Sequence, residues 1–211
     1  MPWGKPGPLH VGSSGGSLRK YPGIGTFEVD ARSQPVRFVG VINALAEPKT
    51  QIDVRTPELE DGQHLWRLAK DTAVLDLNSS YSYLLWCRDF ADTSVIARIG
   101  GEPAGFITGY TRPENPDTLM IWQVAVDEKF RGHGLASTML HELADRTGAL
   151  RMETTITDDN AASNRLFQAF ADQRGAGYDR RPLFTPEMYP DGHDTEYLYE
   201  VQLIQLLTII K

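Results

Sequence analysis

The stretch 122–136, WQVAVDEKFRGHGLA, constrains this chain more than any other. Val124-Ala125-Val126 reads as the end of a strand, and Gly134 opens a long helical pattern. Between them lies the turn Arg131-Gly132-His133-Gly134. Glycines let the backbone come close to a ligand, and the start of a helix presents free N–H groups. Strand, glycine turn and helix in that order make an anion site suited to a pyrophosphate. The plainer alternative is a glycine-rich turn in front of a helix. A nucleotide P-loop is excluded because its lysine is missing, and a dinucleotide fingerprint because the glycine spacing differs.

The rest of the pattern places that block inside one α/β domain. Residues 52–55 read as a short strand. Thr56-Pro57-Glu58 then offers an N-cap, a proline at the first helical position and an acidic first turn. Leu65, Trp66 and Ala69 give the following helix an apolar stripe, and a second helix covers 80–90. Residues 94–99, 104–110 and 119–126 read as strands. Gly100-Gly101-Glu102-Pro103 is a hairpin turn, and 112–117 is a loop. The helix over 134–147 carries Ala136, Met139, Leu140, Leu143 and Ala144 on one face. A strand over 150–157 follows, then a helix over 160–170 with Ser163, Leu166, Phe167 and Phe170 on one side, then a last strand over 196–204. The order β-α-α-β-β-β-α-β-α-β describes a mostly antiparallel sheet flanked by helices. The glycine-, proline- and serine-rich residues 1–50 read as a flexible extension, although 36–42 (VRFVGVI) is extended in character without an obvious partner. The domain is expected over 51–205, with a tail at 206–211.

The Arg131-x-x-Gly134-x-Ala136 pattern, set directly behind an alternating strand, resembles the coenzyme A signature of the GNAT acetyltransferases. The resemblance implies a GNAT fold, in which the sheet splays into a V between its fourth and fifth strands. It implies acetyl-CoA as co-substrate, held by Val124, Val126, Arg131, Gly132, His133, Gly134, Ala136 and Ser137. In the run 160–167, NAASNRLF, it implies that Asn160 and Ser163 touch the pantetheine arm or the phosphates and that Phe167 lines the thioester channel, where core packing is its other reading. Many members of the family carry a tyrosine at the place of Phe167, as a proton donor to the thiolate. Here Tyr81, Tyr83 or solvent takes that role, if the good CoA leaving group needs one at all.

Three further segments, 74–86 (VLDLNSSYSYLLW), 116–126 (PDTLMIWQVAV) and 152–157 (METTIT), closely resemble the diaminobutyrate acetyltransferases of ectoine biosynthesis; 193–199 (HDTEYLY) is a looser match. The likeness covers 53–202. It implies L-2,4-diaminobutyrate as acceptor, an N-γ-acetyl product and a homodimer. A dication with a carboxylate asks for acidic and aromatic partners. Asp76, Glu153 and Glu196 are the carboxylate candidates, with Thr155 beside them and Trp122 able to cover an ammonium by a cation–π contact. Each has a plainer reading: Asp76 as a helix N-cap, Trp122 as core, Glu153 as a solvent-facing strand residue.

An amine near its reference pKa of ~10.4 costs roughly 4–5 kcal/mol to deprotonate at neutral pH. Glu153 is the first candidate for that base and Asp76 the second. By resemblance a backbone N–H near Val124 holds the oxyanion. Cys87, the single cysteine, sits in an apolar run and reads as an inert core thiol, which leaves direct attack on the thioester without an acyl-enzyme. No metal is implied, since the five histidines are scattered and none pairs with a carboxylate at ligand spacing. The net charge of −7 speaks against nucleic acid and suits, weakly, a cationic acceptor. With no apolar run near the ~18 residues of a membrane span, and no signal-type start, the chain reads as cytoplasmic. The competing readings are a GNAT enzyme acting on another small amine or a protein N-terminus, and a non-catalytic acyl-CoA-binding regulator. Intact Asp76, Trp122 and Glu153 count against the regulator.

Overall fold

The computed structural model describes residues 51–72 and 75–203. The expectations for 1–50, for Val74 and for the tail at 206–211 fall outside the described residues. The described chain builds one seven-stranded sheet between two layers of helices. Its strands are β1 (Ile52–Arg55), β2 (Val95–Ile99), β3 (Glu102–Arg112), β4 (Asn115–Val126), β5 (Arg151–Ile156), β6 (Tyr178–Phe184) and β7 (Glu196–Gln202). The helices are α1 (Gly62–Thr72), α2 (Ser80–Asp89), α3 (Leu135–Thr147) and α4 (Ala161–Gln173). The strand order is β1-β2-β3-β4-β5-β7-β6, and every neighbouring pair is antiparallel except β4–β5.

The parallel pair is short, and that shortness creates the site. Thr118 to Ile121 pair with Arg151 to Thr154, and there the pairing stops. Beyond that point β4 stays with β3, while β5 stays with β7. The cause is local. Thr108 pairs with Gln123 and Gly109 with Ile121, so Trp122 is an extra residue bulged out of β4. A bulge bends its strand and increases the local twist, which swings the end of β4 away from β5.

Each sheet face buries its own apolar layer. Leu135, Met139, Leu140 and Leu143 of α3 and Phe167 and Phe170 of α4 pack on Leu119, Ile121, Met152 and Tyr199. On the other face, Leu65, Leu68 and Ala69 of α1 and Tyr83 and Cys87 of α2 pack on Ile96, Phe106 and Ala125. The α1 layer is tied to the sheet edge through Asp61, which is buried and receives Arg98 at 2.7 Å and Arg55 at 2.9 Å. Burial alone would push the Asp61 carboxyl up. The Glu58 amide and the two guanidiniums outweigh it and hold it below its ordinary value.

Three local expectations need correction. Thr56 does not cap α1. A 3-10 turn at Leu59–Asp61 precedes the helix, and Asp61 accepts the Glu58 N–H at 2.8 Å. Residues 112–117 are a tight hairpin between two long strands, with Arg112 paired to Asn115, and not a loop. β6 was not expected at all. All seven of its residues are exposed, and among the described residues it pairs only with β7, so it has the polar, proline-containing character of an edge strand.

Candidate active site

A cleft of about 540 Å³ opens where β4 leaves β5. Val124 and Val126 line it from β4. Arg131, Gly132, Gly134, Ala136 and Ser137 line it from the turn and the first residues of α3. Asn160 and Ser163 line it from α4. The sequence-named cofactor residues therefore come together, with two exceptions. The His133 ring turns back on the loop, with Nδ1 3.0 Å from the Arg131 carbonyl and 3.2 Å from that of Phe130. Phe167 is 2% exposed and belongs to the core, and its neighbour Leu166 lines the cleft instead.

The backbone of the turn requires its glycines. Gly132 has φ 82° and Gly134 φ 69°, in the left-handed region that disfavours side chains. This geometry turns the chain sharply enough for α3 to start with its open N–H groups on the cleft. Asn160 supports the other wall, where its side chain caps α4 by accepting the Ser163 N–H at 3.1 Å.

The second half of the site lies on the sheet face turned away from α3 and α4. Tyr197, Tyr199 and Val201 pack into the α3/α4 core, so by alternation Glu196 of β7 points to the opposite face. Met152 and Ile156 do the same for Glu153 and Thr155 of β5. Trp122 is 52% exposed and stacks on Trp86 of α2, with ring centroids 6.3 Å apart. It is not core. Asp76 is exposed in the segment before α2, and it is not an N-cap, since Ser79 holds that place.

A buried strap holds this loop against β4. Gln123 is 6% exposed. Its Nε2 donates to the Asp76 carbonyl at 2.9 Å, and its Oε1 accepts from the Tyr83 hydroxyl at 3.1 Å. The Tyr83 proton is thus committed to Gln123, and burial pushes its pKa up, so Tyr83 is a poor acid for a leaving thiolate. Gln123 was not singled out from the sequence, because a glutamine on an apolar strand carries no pattern.

Glu196 stands out electrostatically. Its Oε2 is buried and has no hydrogen-bond partner among the described residues. Its Oε1 lies 3.8 Å from Nε2 of His193, which stacks on Tyr189 at 4.5 Å. A histidine does therefore meet a carboxylate here, three residues apart, contrary to the sequence reading. The Asp194 carbonyl raises the His193 pKa against desolvation, and the nearby carboxylates of Glu196, Asp76 and Asp191 raise it further. Among the described residues, no group of three or more His, Cys, Asp or Glu is placed to hold a metal ion.

Glu153 differs from the other two carboxylates. It does not face solvent. It is 4% exposed and receives Arg112 Nη1 at 2.9 Å, one step back from the fork in the paired part of the sheet. Cys87 is buried, and burial pushes its thiol up to about 12, which removes it as a nucleophile.

The chain matches the acetyltransferase (GNAT) family over residues 59–171. It is 56% identical over 162 residues to the L-2,4-diaminobutyric acid acetyltransferase of Streptomyces coelicolor, covering 74% of this chain and 94% of that relative. The enzyme of the same description from Vibrio parahaemolyticus is 40% identical, over 74% and 89% of the two chains. Among solved structures, the diaminobutyrate acetyltransferase EctA of Paenibacillus lautus, in complex with L-2,4-diaminobutyric acid and coenzyme A, superposes with a TM-score of 0.70 at 38% identity. That match covers 74% of this chain and 98% of the other. Ard1 of Thermoplasma volcanium, at 19% identity and a TM-score of 0.59, shares the fold.

Proposed function

The chain belongs to the GNAT family, and within it to the L-2,4-diaminobutyric acid acetyltransferases, and on that footing we propose that it moves the acetyl group of acetyl-CoA to the γ-amine of L-2,4-diaminobutyrate. The observation that carries the acceptor half is the buried, unpartnered Oε2 of Glu196. A buried charged oxygen without a donor is costly. An ammonium group supplies the missing donor, and the exposed Asp76 and the open face of Trp122 supply a second anion and a π surface for a second ammonium.

The reaction follows from the fork. The pyrophosphate of acetyl-CoA lies against the Arg131–Gly134 turn and the first amides of α3. The pantetheine arm runs between β4 and β5 and brings the thioester towards Val124. Beyond Ile121 β4 has lost its β5 partner, which supports a backbone N–H near the cleft-lining Val124 as the donor to the oxyanion of the tetrahedral intermediate. The amine attacks directly. Its proton goes to Glu196, directly or through water. Arg112 already neutralises Glu153, which makes that residue a brace of the site and not its base. The α-amine is intrinsically the more acidic, so γ-selectivity rests on holding the α-ammonium away from the thioester. Phe167 carries no hydroxyl and Tyr83 gives its proton to Gln123, so the CoA thiolate takes its proton from solvent or from the exposed Tyr81.

On this reading the acetyltransferase domain spans 51–205, with 1–50 and 206–211 outside it. No described helix is long and apolar enough to cross a membrane. The acetyl-CoA requirement supports work in the cytoplasm. A homodimer is supported by the exposed edge strand β6, where Tyr178, Leu183 and Phe184 lie uncovered. A monomer by light scattering at micromolar concentration would rule the dimer out.

The acceptor site is testable through pH. Below its raised pKa, His193 is an imidazolium that competes with the substrate for Glu196; above it the carboxylate is released. The KM for diaminobutyrate should therefore fall as pH rises through a step above the ordinary histidine value of ~6.5. In His193→Gln that step should vanish while acetyl-CoA KM keeps its own profile. An unchanged step in the variant would take His193 and Glu196 out of the acceptor site.

A further inference from the structure

Among the described arginines, the side chains are paired almost throughout. Only the guanidiniums of Arg67, Arg131 and Arg165 have neither a hydrogen bond nor an ion pair, and two of these three line the cleft. Arg131 reaches it from the β4 arm of the fork, in the turn before α3. Arg165 reaches it from the β5 arm, on α4, two residues beyond the cleft-lining Ser163. Arg165 is exposed, and Asp158, seven residues before it, pairs with Arg180 instead.

The two cations meet different chemistry. Beside Arg131 stand the amides of the glycine turn and the α3 start, which together suit a phosphodiester-type pyrophosphate. On α4 the Ser163 N–H is taken by the Asn160 side chain, and those of Ala161 and Asn164 by the Asp159 and Asn160 carbonyls, so Arg165 has at most the Ala162 amide beside it and acts mainly through its guanidinium. A guanidinium alone is suited to a terminal phosphate, whose oxygens it grips in bidentate fashion. Acetyl-CoA carries one such group besides its pyrophosphate, the 3′-phosphate of the ribose. We infer that Arg165 is the residue that binds the 3′-phosphate of coenzyme A, and that through it the chain selects acetyl-CoA over acetyl-dephospho-CoA. The inference rests on acetyl-CoA being the co-substrate.

Steady-state kinetics with the two thioesters tests it. In the unaltered protein, acetyl-dephospho-CoA should show a KM roughly tenfold or more above that of acetyl-CoA, the size of one lost charge-assisted contact. In Arg165→Gln the two KM values should converge, because acetyl-CoA loses a contact that the dephospho form never had. Arg165→Lys should restore part of the gap. Arg131→Gln should weaken both thioesters and keep the gap. If Arg165→Gln raises both KM values by the same factor, the guanidinium acts on the pyrophosphate or the adenine and the inference is overturned. Equal KM values in the unaltered protein overturn it as well. Failure to turn over or bind either thioester would instead remove the acetyl-CoA reading itself.

Discussion

Glu196→Gln is expected to raise the KM for L-2,4-diaminobutyrate by about ten- to a hundredfold and to leave acetyl-CoA binding nearly unchanged. The substitution keeps the shape of the side chain and removes its charge. A hydrogen bond to a charged group is worth about 1.5–3 kcal/mol, which is that range of affinity. The effect should be larger than for most surface carboxylates, because the Glu196 Oε2 is buried and has no donor among the described residues. If Glu196 also takes the proton, kcat should fall with it. Asp76→Asn should raise the same KM by a smaller factor, since Asp76 is exposed and solvent screens it. Capping cannot confuse the result, because Ser79 and not Asp76 precedes α2. Acceptor kinetics unchanged in both variants, measured against an unchanged acetyl-CoA affinity, would empty the acceptor site of its charges.

Gly134→Val should cut acetyl-CoA affinity by about ten- to a hundredfold in calorimetry. No crowding is involved, for a Cβ at Gly134 would meet nothing within 4 Å. The loss comes from the backbone. At φ 69° and ψ 13° the residue is left-handed, which costs an L-residue roughly 1–2 kcal/mol and most for a β-branched one. Valine relieves that strain by turning the peptide, and the turn and helix amides then no longer converge on the phosphates. Gly134→Ala should act in the same direction with a smaller effect. Arg131→Ala should weaken binding through lost charge with the turn intact. Unchanged affinity in all three would show that the glycine turn is not the phosphate site.

What could be read from the sequence follows from where information is local. The Arg131–Gly134 turn is written in consecutive residues, because φ above zero selects glycine and a helix start needs no distant partner. The apolar faces of α1, α3 and α4 were legible for the same reason, with small shifts such as Leu68 for Trp66. β6 was not legible, because an exposed edge strand with Pro182 and three charges has no alternation to show. The place of Glu153 depended on Arg112, forty-one residues away. The strap from Tyr83 through Gln123 to Asp76 likewise joins residues that only the fold brings together. Phe167 was assigned to the thioester channel by resemblance, yet the helix turns that position inward and presents Leu166. The bulge at Trp122, which opens the whole site, left no mark in composition.

That acetyl-CoA and L-2,4-diaminobutyrate meet at this fork is open to a single experiment. Release of free CoA thiol tests it most directly, with the purified chain, acetyl-CoA and one amine at a time, and with the product identified by NMR. Thiol release should depend on diaminobutyrate, with one acetyl group per thiol placed on the γ-nitrogen, and should be far slower with a polyamine or an N-terminal peptide. Thiol release with either of those amines but not with diaminobutyrate, or none with any amine while acetyl-CoA still binds, would contradict it.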